Sequence, residues 1–123
     1  MLSAHETWLN THGEEGKRFV LNYQNLSCLN FSDANLEKCI LTKCDLRKSD
    51  FSRARLKHAT LNGCEMTNAN FSHVKFDYAS LCYSSFLYTN FYDANLRLAD
   101  LTGTNLKGAY LFGCRLPENT WLI

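Results

Sequence analysis

Residues 71–100 read FSHVK FDYAS LCYSS FLYTN FYDAN LRLAD, and every block of five begins with a large apolar residue. The same register holds from residue 25 to residue 116, where the 19 central residues are 12 Leu, 6 Phe and 1 Met. Two positions before the centre the residue is small in 17 of 19 units, as at Ala34, Cys44 and Ala79. One position before the centre, Asn or Asp fills 10 of 19 units. The fold prediction depends on this period of five.

A period of five matches neither regular element. On an α-helix five residues advance about 500°, so the centres would drift around the cylinder instead of forming one face. On a strand the side chains alternate with a period of two, so successive centres would point to opposite faces. A chain that turns a corner at every unit can point all its centres and small residues at a common axis. The sequence therefore predicts a solenoid.

Three stretches carry the repeat in its clearest form: Asp33 to Lys38 (DANLEK), Asn68 to Ser72 (NANFS) and Asp93 to Arg97 (DANLR). Here the chain resembles the pentapeptide-repeat family, whose motif is a small residue, Asn or Asp, Leu or Phe, and two variable residues. The resemblance implies an all-β fold, a right-handed quadrilateral parallel β-helix with four units per coil and about 4.75 coils. Residues 20 apart should then stack, and one such ladder is Phe31, Phe51, Phe71, Phe91 and Leu111.

The sequence divides into three parts. They are a capping helix and linker (1–18), the β-helix (19–116) and a closing segment (117–123). A helix is predicted from Ser3 to His12, because Ser3 and Glu6 form a capping box and Gly13 and Gly16 follow as stop signals. This helix should cover an end of the solenoid that would otherwise expose its core and unpaired strand edges.

Glycine falls two places after a centre at Gly63, Gly103, Gly108 and Gly113. A type II turn needs a positive φ at this position, which glycine adopts without steric cost. We expect type II corners at these glycines and less regular turns where Lys or Tyr takes their place.

The composition argues against several classes of protein. A length of 123 residues suits one domain, and a net charge of +1 gives no general argument for nucleic-acid binding. No stretch approaches the run of about 18 apolar residues that spans a membrane. The N-terminus also lacks a charged region followed by an apolar run, so we expect a cytoplasmic protein without a membrane contact.

Basic residues concentrate between Leu36 and His58, where the charge is +4 against −3 for the rest of the chain. Two interpretations remain open: a solvated exterior that keeps the protein soluble, or a surface that binds phosphates or acidic groups. The predicted basic surface comprises Lys38, Lys43, Lys48, Arg53, Arg55 and Lys57.

Exposed aromatic residues gather between Phe76 and Phe112, and Phe112 should stack one coil above Tyr92. Such a ladder either stabilises the outer surface or forms a protein-binding patch. The predicted partner-binding residues are Leu87, Tyr88, Tyr92, Tyr110 and Phe112.

We expect no second helix to cover the C-terminal end of the solenoid. We therefore hypothesise a two-fold homodimer joined through the C-terminal coils. The predicted contacts are Leu116, Trp121, Leu122 and Ile123.

The cysteines predict no reactive centre. Cys39, Cys44, Cys64 and Cys114 occupy the small inward position, where a reduced thiol behaves as a compact apolar residue. The sequence has no CxxC motif and no Cys/His cluster, so we predict no metal and no cofactor. A regular rod offers no cleft, so we predict no catalytic residues and no enzyme activity.

Two functional hypotheses remain. The favoured one is a non-enzymatic protein-interaction module that presents a rigid β-helical surface to a protein partner of unknown identity. The alternative, implied by the resemblance, is a DNA-mimicking binder of DNA gyrase or topoisomerase, as in the quinolone-resistance members of the family. The basic segment and the absence of a long loop between coils count against this alternative. Direct nucleic-acid binding ranks below both.

Overall fold

The computed structural model describes residues 2–118. Within these residues the elements are one helix, α1 (Leu2–Asn10), and two short strands, β1 (Val20–Asn22) and β2 (Ile40–Thr42). β1 and β2 pair in parallel, with Val20 opposite Ile40. The chain therefore returns to the same place after one coil of 20 residues.

Along the rest of the repeat region, residues 20 apart pair through single backbone β-bridges. These bridges are all parallel and run at every fifth residue from Asn25 opposite Asp45 to Asn95 opposite Arg115. Bridged residues lie one strand spacing apart, about 4.8 Å, so the coils stack into a rod. The predicted stacking of residues 20 apart is confirmed.

The chain turns a corner after each centre. The residue two places after the centre has a positive φ whether it is Lys43 (53°), Tyr83 (61°) or Gly63 (67°). The prediction that Lys and Tyr give less regular turns is wrong, because Lys, Tyr and Gly take the same positive φ at these corners. Leu98 departs from this series, and there Tyr78 N–H donates to the Leu98 carbonyl at 3.1 Å.

The Asn and Asp residues of the repeat stabilise these corners. All ten of those directly before a centre accept a hydrogen bond from the backbone N–H two residues later. Asn70, for example, accepts from Ser72 N–H at 3.0 Å. Each of these Asx turns adds about 0.5–1.5 kcal/mol to stability. The preference for Asn and Asp in the motif follows from this hydrogen bond.

The centres and small residues fill the axis of the rod. The rings of Phe31, Phe51, Phe71 and Phe91 stack in order, with centroids 4.8, 4.8 and 5.8 Å apart. The predicted phenylalanine ladder is confirmed. Cys39, Cys44 and Cys64 are buried in the same core. Offset stacking of this kind adds to the free energy gained by burying each ring.

α1 packs against the first coil through the side chain of His5, which is fully buried. Phe19 N–H donates to His5 Nδ1 at 3.0 Å, and His5 Nε2 lies 2.9 Å from the Glu37 carbonyl oxygen. Because Nδ1 accepts, Nε2 carries the proton and donates, which requires the neutral ring. The indole of Trp8 stacks on His5 with centroids 5.9 Å apart. The sequence pattern did not single out His5.

α1 lies within two residues of the predicted span. Ser3 is its second residue rather than its N-cap, so the predicted capping box is wrong because the helix starts earlier than the Ser3 signal. At the other end His12 has a positive φ of 53°, and its N–H donates to the Leu9 carbonyl at 3.3 Å. Gly13 N–H donates to the Trp8 carbonyl at 2.8 Å. These two bonds form a Schellman motif, with His12 in the left-handed position that glycine usually takes.

Candidate protein-binding surface

Four corners per coil divide the rod into four flat sides. Side chains directly before and after a centre point outward, and residues 20 apart share a side. On one side Tyr92 follows the centre Phe91, and Tyr110 and Phe112 flank the centre Leu111 one coil later. We call Tyr92, Tyr110 and Phe112 the aromatic patch.

The three rings of the aromatic patch contact one another. Tyr92 stacks on Phe112 with centroids 6.1 Å apart, and on Tyr110 with centroids 6.2 Å apart. Phe112 is 68% exposed and Tyr110 55% exposed, while Tyr92 is partly buried between its neighbours. His73 meets the Tyr92 ring edge-on at 5.4 Å. The patch is confined to the last coils, because the positions equivalent to Tyr92 in earlier coils are Ser32, Ser52 and Ser72.

The other two predicted partner-binding residues lie beside the patch. Tyr88 is 60% exposed at the preceding corner, and its ring covers the backbone of Gly108, where an added Cβ would lie 2.5 Å from ring atoms. The Tyr88 ring therefore packs directly over the corner at Gly108, where φ is 72°. Leu87 is partly buried on the adjoining side. Tyr88 extends the exposed aromatic surface, whereas Leu87 faces a different direction.

The six residues of the predicted basic surface do not share one side. Lys38, Lys43, Lys48 and Arg53 occupy four different corners, because five residues along the chain lead to the next corner. Arg55 and Lys57 lie on a side with three further cations, which the sequence analysis did not group together. This side, the basic face, carries Arg55, Lys57, Lys75, Arg97 and Arg115, together with Glu37 and Asp77.

Two acidic side chains outside the basic face, Asp33 and Asp45, are paired with arginine. Arg53 binds Asp33 one coil below through Nε at 2.9 Å, and Arg47 binds Asp45 at 2.7 Å. The hydrogen bond from Arg53 holds the pKa of Asp33 below its ordinary value, and the one from Arg47 does the same for the pKa of Asp45. These carboxylates are held in the ionised form, which suits surface ion pairs rather than proton transfer.

Two thiols of the core, those of Cys39 and Cys64, are held in the protonated form. Burial raises the pKa of Cys39 and of Cys64 to about 12. A thiol of this kind is a poor nucleophile and a poor metal ligand. In residues 2–118 no three His, Cys, Asp or Glu side chains are grouped so that they could hold a metal ion. No helix of that same part of the chain is long and apolar enough to cross a membrane.

One shallow pocket departs from the smooth surface that the sequence predicts. It has a volume of about 240 Å³ between α1 and the first coil and is lined by Trp8, Leu9, His12, Gly13 and Lys38. The predicted dimer contacts Trp121, Leu122 and Ile123 lie outside the described residues.

The stacked coils of the described residues define a solenoid with four outer sides. The family model of pentapeptide repeats matches this sequence in eight copies, over residues 20–53, 30–68, 49–86 and 84–116. The chain belongs to the pentapeptide-repeat family, and its fold is a right-handed β-helix. No curated protein matches the chain in sequence.

Solved structures of the same family resemble this chain. A pentapeptide repeat protein from the Arabidopsis thaliana thylakoid lumen is 27% identical with a TM-score of 0.70, over 74% of this chain and 63% of that one. The chain therefore spans less than two thirds of the length of that relative. Rfr23 from the cyanobacterium Cyanothece is 24% identical with a TM-score of 0.54, over 86% of both chains. QnrB1, a plasmid-mediated fluoroquinolone resistance protein, is 18% identical with a TM-score of 0.61, over 81% of this chain and 68% of its own.

Proposed function

We propose that the protein is a non-enzymatic interaction scaffold whose aromatic patch binds a protein partner. The observation that carries this proposal is the stack of Tyr92, Tyr110 and Phe112 on the outside of the rod. Contiguous exposed aromatic side chains are unusual on a small protein and are enriched in the centres of protein interfaces.

The surroundings of the patch suit a protein partner. The backbone under the rings is held by hydrogen bonds from Phe91 N–H to the Tyr110 carbonyl at 2.8 Å and from Asp93 N–H to the Phe112 carbonyl at 3.1 Å. Little conformational entropy is therefore lost when a partner binds. Tyr and Phe on such a support supply large contact areas with few rotatable bonds. Tyr88 at the neighbouring corner enlarges the surface on one side, and the Asp93 carboxylate lies at the corner on the other.

Replacing Tyr92 and Phe112 with serine should abolish partner binding while leaving the fold intact. Serine occupies the equivalent position in three earlier coils, so the substitution is compatible with the corner. Pull-down from cell extract followed by mass spectrometry should show a protein that the wild type retains and the Tyr92→Ser, Phe112→Ser variant loses.

A matched control removes two aromatic rings elsewhere. Tyr78 and Tyr83 are 58% and 72% exposed at other corners, and asparagine tolerates the positive φ found there. The Tyr78→Asn, Tyr83→Asn variant should keep the partner. Equal loss of the partner from both variants would contradict a role specific to the aromatic patch.

The alternative of a DNA-mimicking binder of gyrase or topoisomerase has less support. Duplex DNA presents about one negative charge per 1.7 Å of its axis, so a mimic needs acidic side chains along the rod. The basic face instead presents five basic side chains against two acidic ones. A gyrase supercoiling assay separates the proposals, because only the mimic should inhibit or protect the enzyme.

We also propose that the two ends of the rod are covered differently. α1 covers the N-terminal end through the buried His5. At the C-terminal end the centres Leu101, Leu106 and Leu111 are partly exposed, whereas Leu81, Phe86 and Phe91 one coil below are fully buried. A second copy of the chain fits this end, because an identical coil has the same outline and the same apolar side chains.

Sedimentation equilibrium should therefore detect a dimer, and Leu106→Glu should convert it to a monomer. A charge at Leu106 cannot be buried against an identical charge in the second copy without a large cost. A matched change on the outer surface, Leu98→Glu, should leave the dimer intact. A monomer at high concentration of the wild type would rule out this proposal.

A further inference from the structure

The sides of the rod differ in charge, and the basic face carries an excess of cations. On the basic face the backbones of Arg55, Lys75, Asn95 and Arg115 pair in turn through parallel β-bridges, so their side chains form one column. Lys57 and Arg97 lie on the same side, two positions after Arg55 and Asn95. All five cations are exposed, and Glu37 and Asp77 are the two acidic residues among them. The face therefore has a net charge of +3.

Most of this charge has no acidic partner in the described structure. Arg55 lies 3.4 Å from the Glu37 carboxylate. Lys57, Lys75, Arg97 and Arg115 make no ion pair with any of residues 2–118. Lys57 and Arg97 alternate with Glu37 and Asp77 at 20-residue spacing. Lys75 and Arg115, in the other column of the face, have no acidic residue directly above or below them and are free to bind an anionic partner.

The neighbouring corner shows that this fold can pair stacked charges. There Arg53 lies directly above Asp33 and binds it at 2.9 Å. On the basic face the corresponding pair is Arg55 below Lys75, where like charges in register oppose folding. An acidic ligand would remove that repulsion.

We propose that the basic face binds an extended acidic polypeptide segment. Arg55 and Arg115 lie three coils apart, about 14 Å at the usual strand spacing. In an extended peptide every second side chain points to the same side, and two such side chains lie about 6.7 Å apart. Three acidic residues at every second position therefore span about 13 Å. Such a segment can place its carboxylates along the column from Arg55 to Arg115.

The face suits a peptide better than a nucleic acid. Glu37 and Asp77 lie within it, and Asp33 and Asp93 border it at one corner. A phosphate backbone carries charge at every unit and would meet these carboxylates, whereas a peptide can place neutral residues opposite them. This inference adds a second surface to the proposed scaffold and does not depend on the aromatic patch.

Fluorescence anisotropy with a labelled peptide of sequence ESESESES tests the proposal. The wild type should bind this peptide at low salt, and Lys75→Glu with Arg115→Glu should weaken binding by about tenfold. The control, Lys48→Asp with Lys107→Glu, makes the same change in net charge on other parts of the rod, and Asp already occupies corners at Asp33 and Asp93. The control should lose about twofold or less, because its charges are screened from the face.

Three outcomes would overturn the inference. They are no binding by the wild type, equal weakening in both double variants, and tighter binding of oligothymidylate of the same length than of the peptide. The Tyr92→Ser, Phe112→Ser variant separates this surface from the aromatic patch. It should bind the peptide as the wild type does even if the aromatic patch proves to have no partner.

Discussion

Replacing His5 with leucine should release α1 from the first coil. Leucine keeps most of the apolar volume of the ring but can neither accept from Phe19 N–H nor donate to the Glu37 carbonyl. The hydrogen bond at Phe19 N–H is buried and the one at the Glu37 carbonyl is partly buried. A fully buried backbone group left without a partner costs about 1–3 kcal/mol, and a partly buried one costs less. Two such groups amount to a large fraction of the stability of a small domain.

Two measurements report this release. Urea unfolding gives the change in the free energy of unfolding, and trypsin cleavage after Lys17 or Arg18 reports detachment of the linker that follows α1. Trp8, which stacks on His5 and lies under Arg18 at 5.2 Å, provides a fluorescence signal in a Trp121→Phe background. Unchanged stability and unchanged proteolysis in His5→Leu would show that His5 does not hold the helix.

The buried His5 ring should also make the docking of α1 on the first coil dependent on pH. Burial is the main cause that lowers the pKa of His5 from its ordinary value of 6.5, and the nearby Arg18 charge lowers it further. The hydrogen bond to the Glu37 carbonyl and the Glu6 charge act in the opposite direction. The unfolded chain binds a proton as the pH falls below about 6.5, while the folded chain still resists it. The stability that His5 confers is therefore complete above that pH and is lost as the pH falls towards the lowered value.

His5→Gln is the matched variant for this effect. Glutamine keeps one donor and one acceptor but does not titrate in this range. Stability curves of wild type and variant measured between pH 7.5 and pH 5 should diverge as the pH falls, with the steeper loss in the wild type. Parallel curves would assign the pH dependence to other groups.

The period of five was sufficient to predict the fold because it is a local signal that repeats. It placed four phenylalanines of the core in one ladder, and it placed Tyr92 next to Phe112 on the outside. It also marked the Asn and Asp positions, although their role in accepting a corner N–H became clear only from the structure. These features all depend on residues 2 or 20 positions apart, which the repeat itself fixes.

Other features depend on contacts outside the repeat or on a different grouping of residues. His5 has backbone groups as partners, 14 and 32 residues away, so no side-chain pattern indicates it. The basic face was missed because charges were counted along a segment, whereas the corners send consecutive units to different sides. Sorting the same residues by their place in the 20-residue coil would have grouped Arg55, Lys75 and Arg115.

Phe71→Ala should be among the most destabilising single changes in this protein. The ring is fully buried. Its centroid lies 4.8 Å from that of Phe51, 5.4 Å from that of Phe76 and 5.8 Å from that of Phe91. A buried Phe-to-Ala change costs about 3–5 kcal/mol, because it loses the transfer free energy of the ring and leaves a cavity. The site lies midway along the rod, where each coil is stabilised mainly by its neighbours. Loss of this contact should therefore weaken the coupling between the two ends.

Phe112→Ala is the control, because it removes the same side chain from the outside of the rod. Phe112 is 68% exposed, so its loss should change the free energy of unfolding by about 0.5 kcal/mol or less. Urea unfolding gives both values, and amide hydrogen exchange shows whether the terminal coils of Phe71→Ala open independently. If both variants lost similar stability, the inner ladder would not be the source of the cohesion of the rod. If Phe71→Ala loses much more stability than Phe112→Ala, folding does not require the Phe112 ring, and that ring is available to bind a partner.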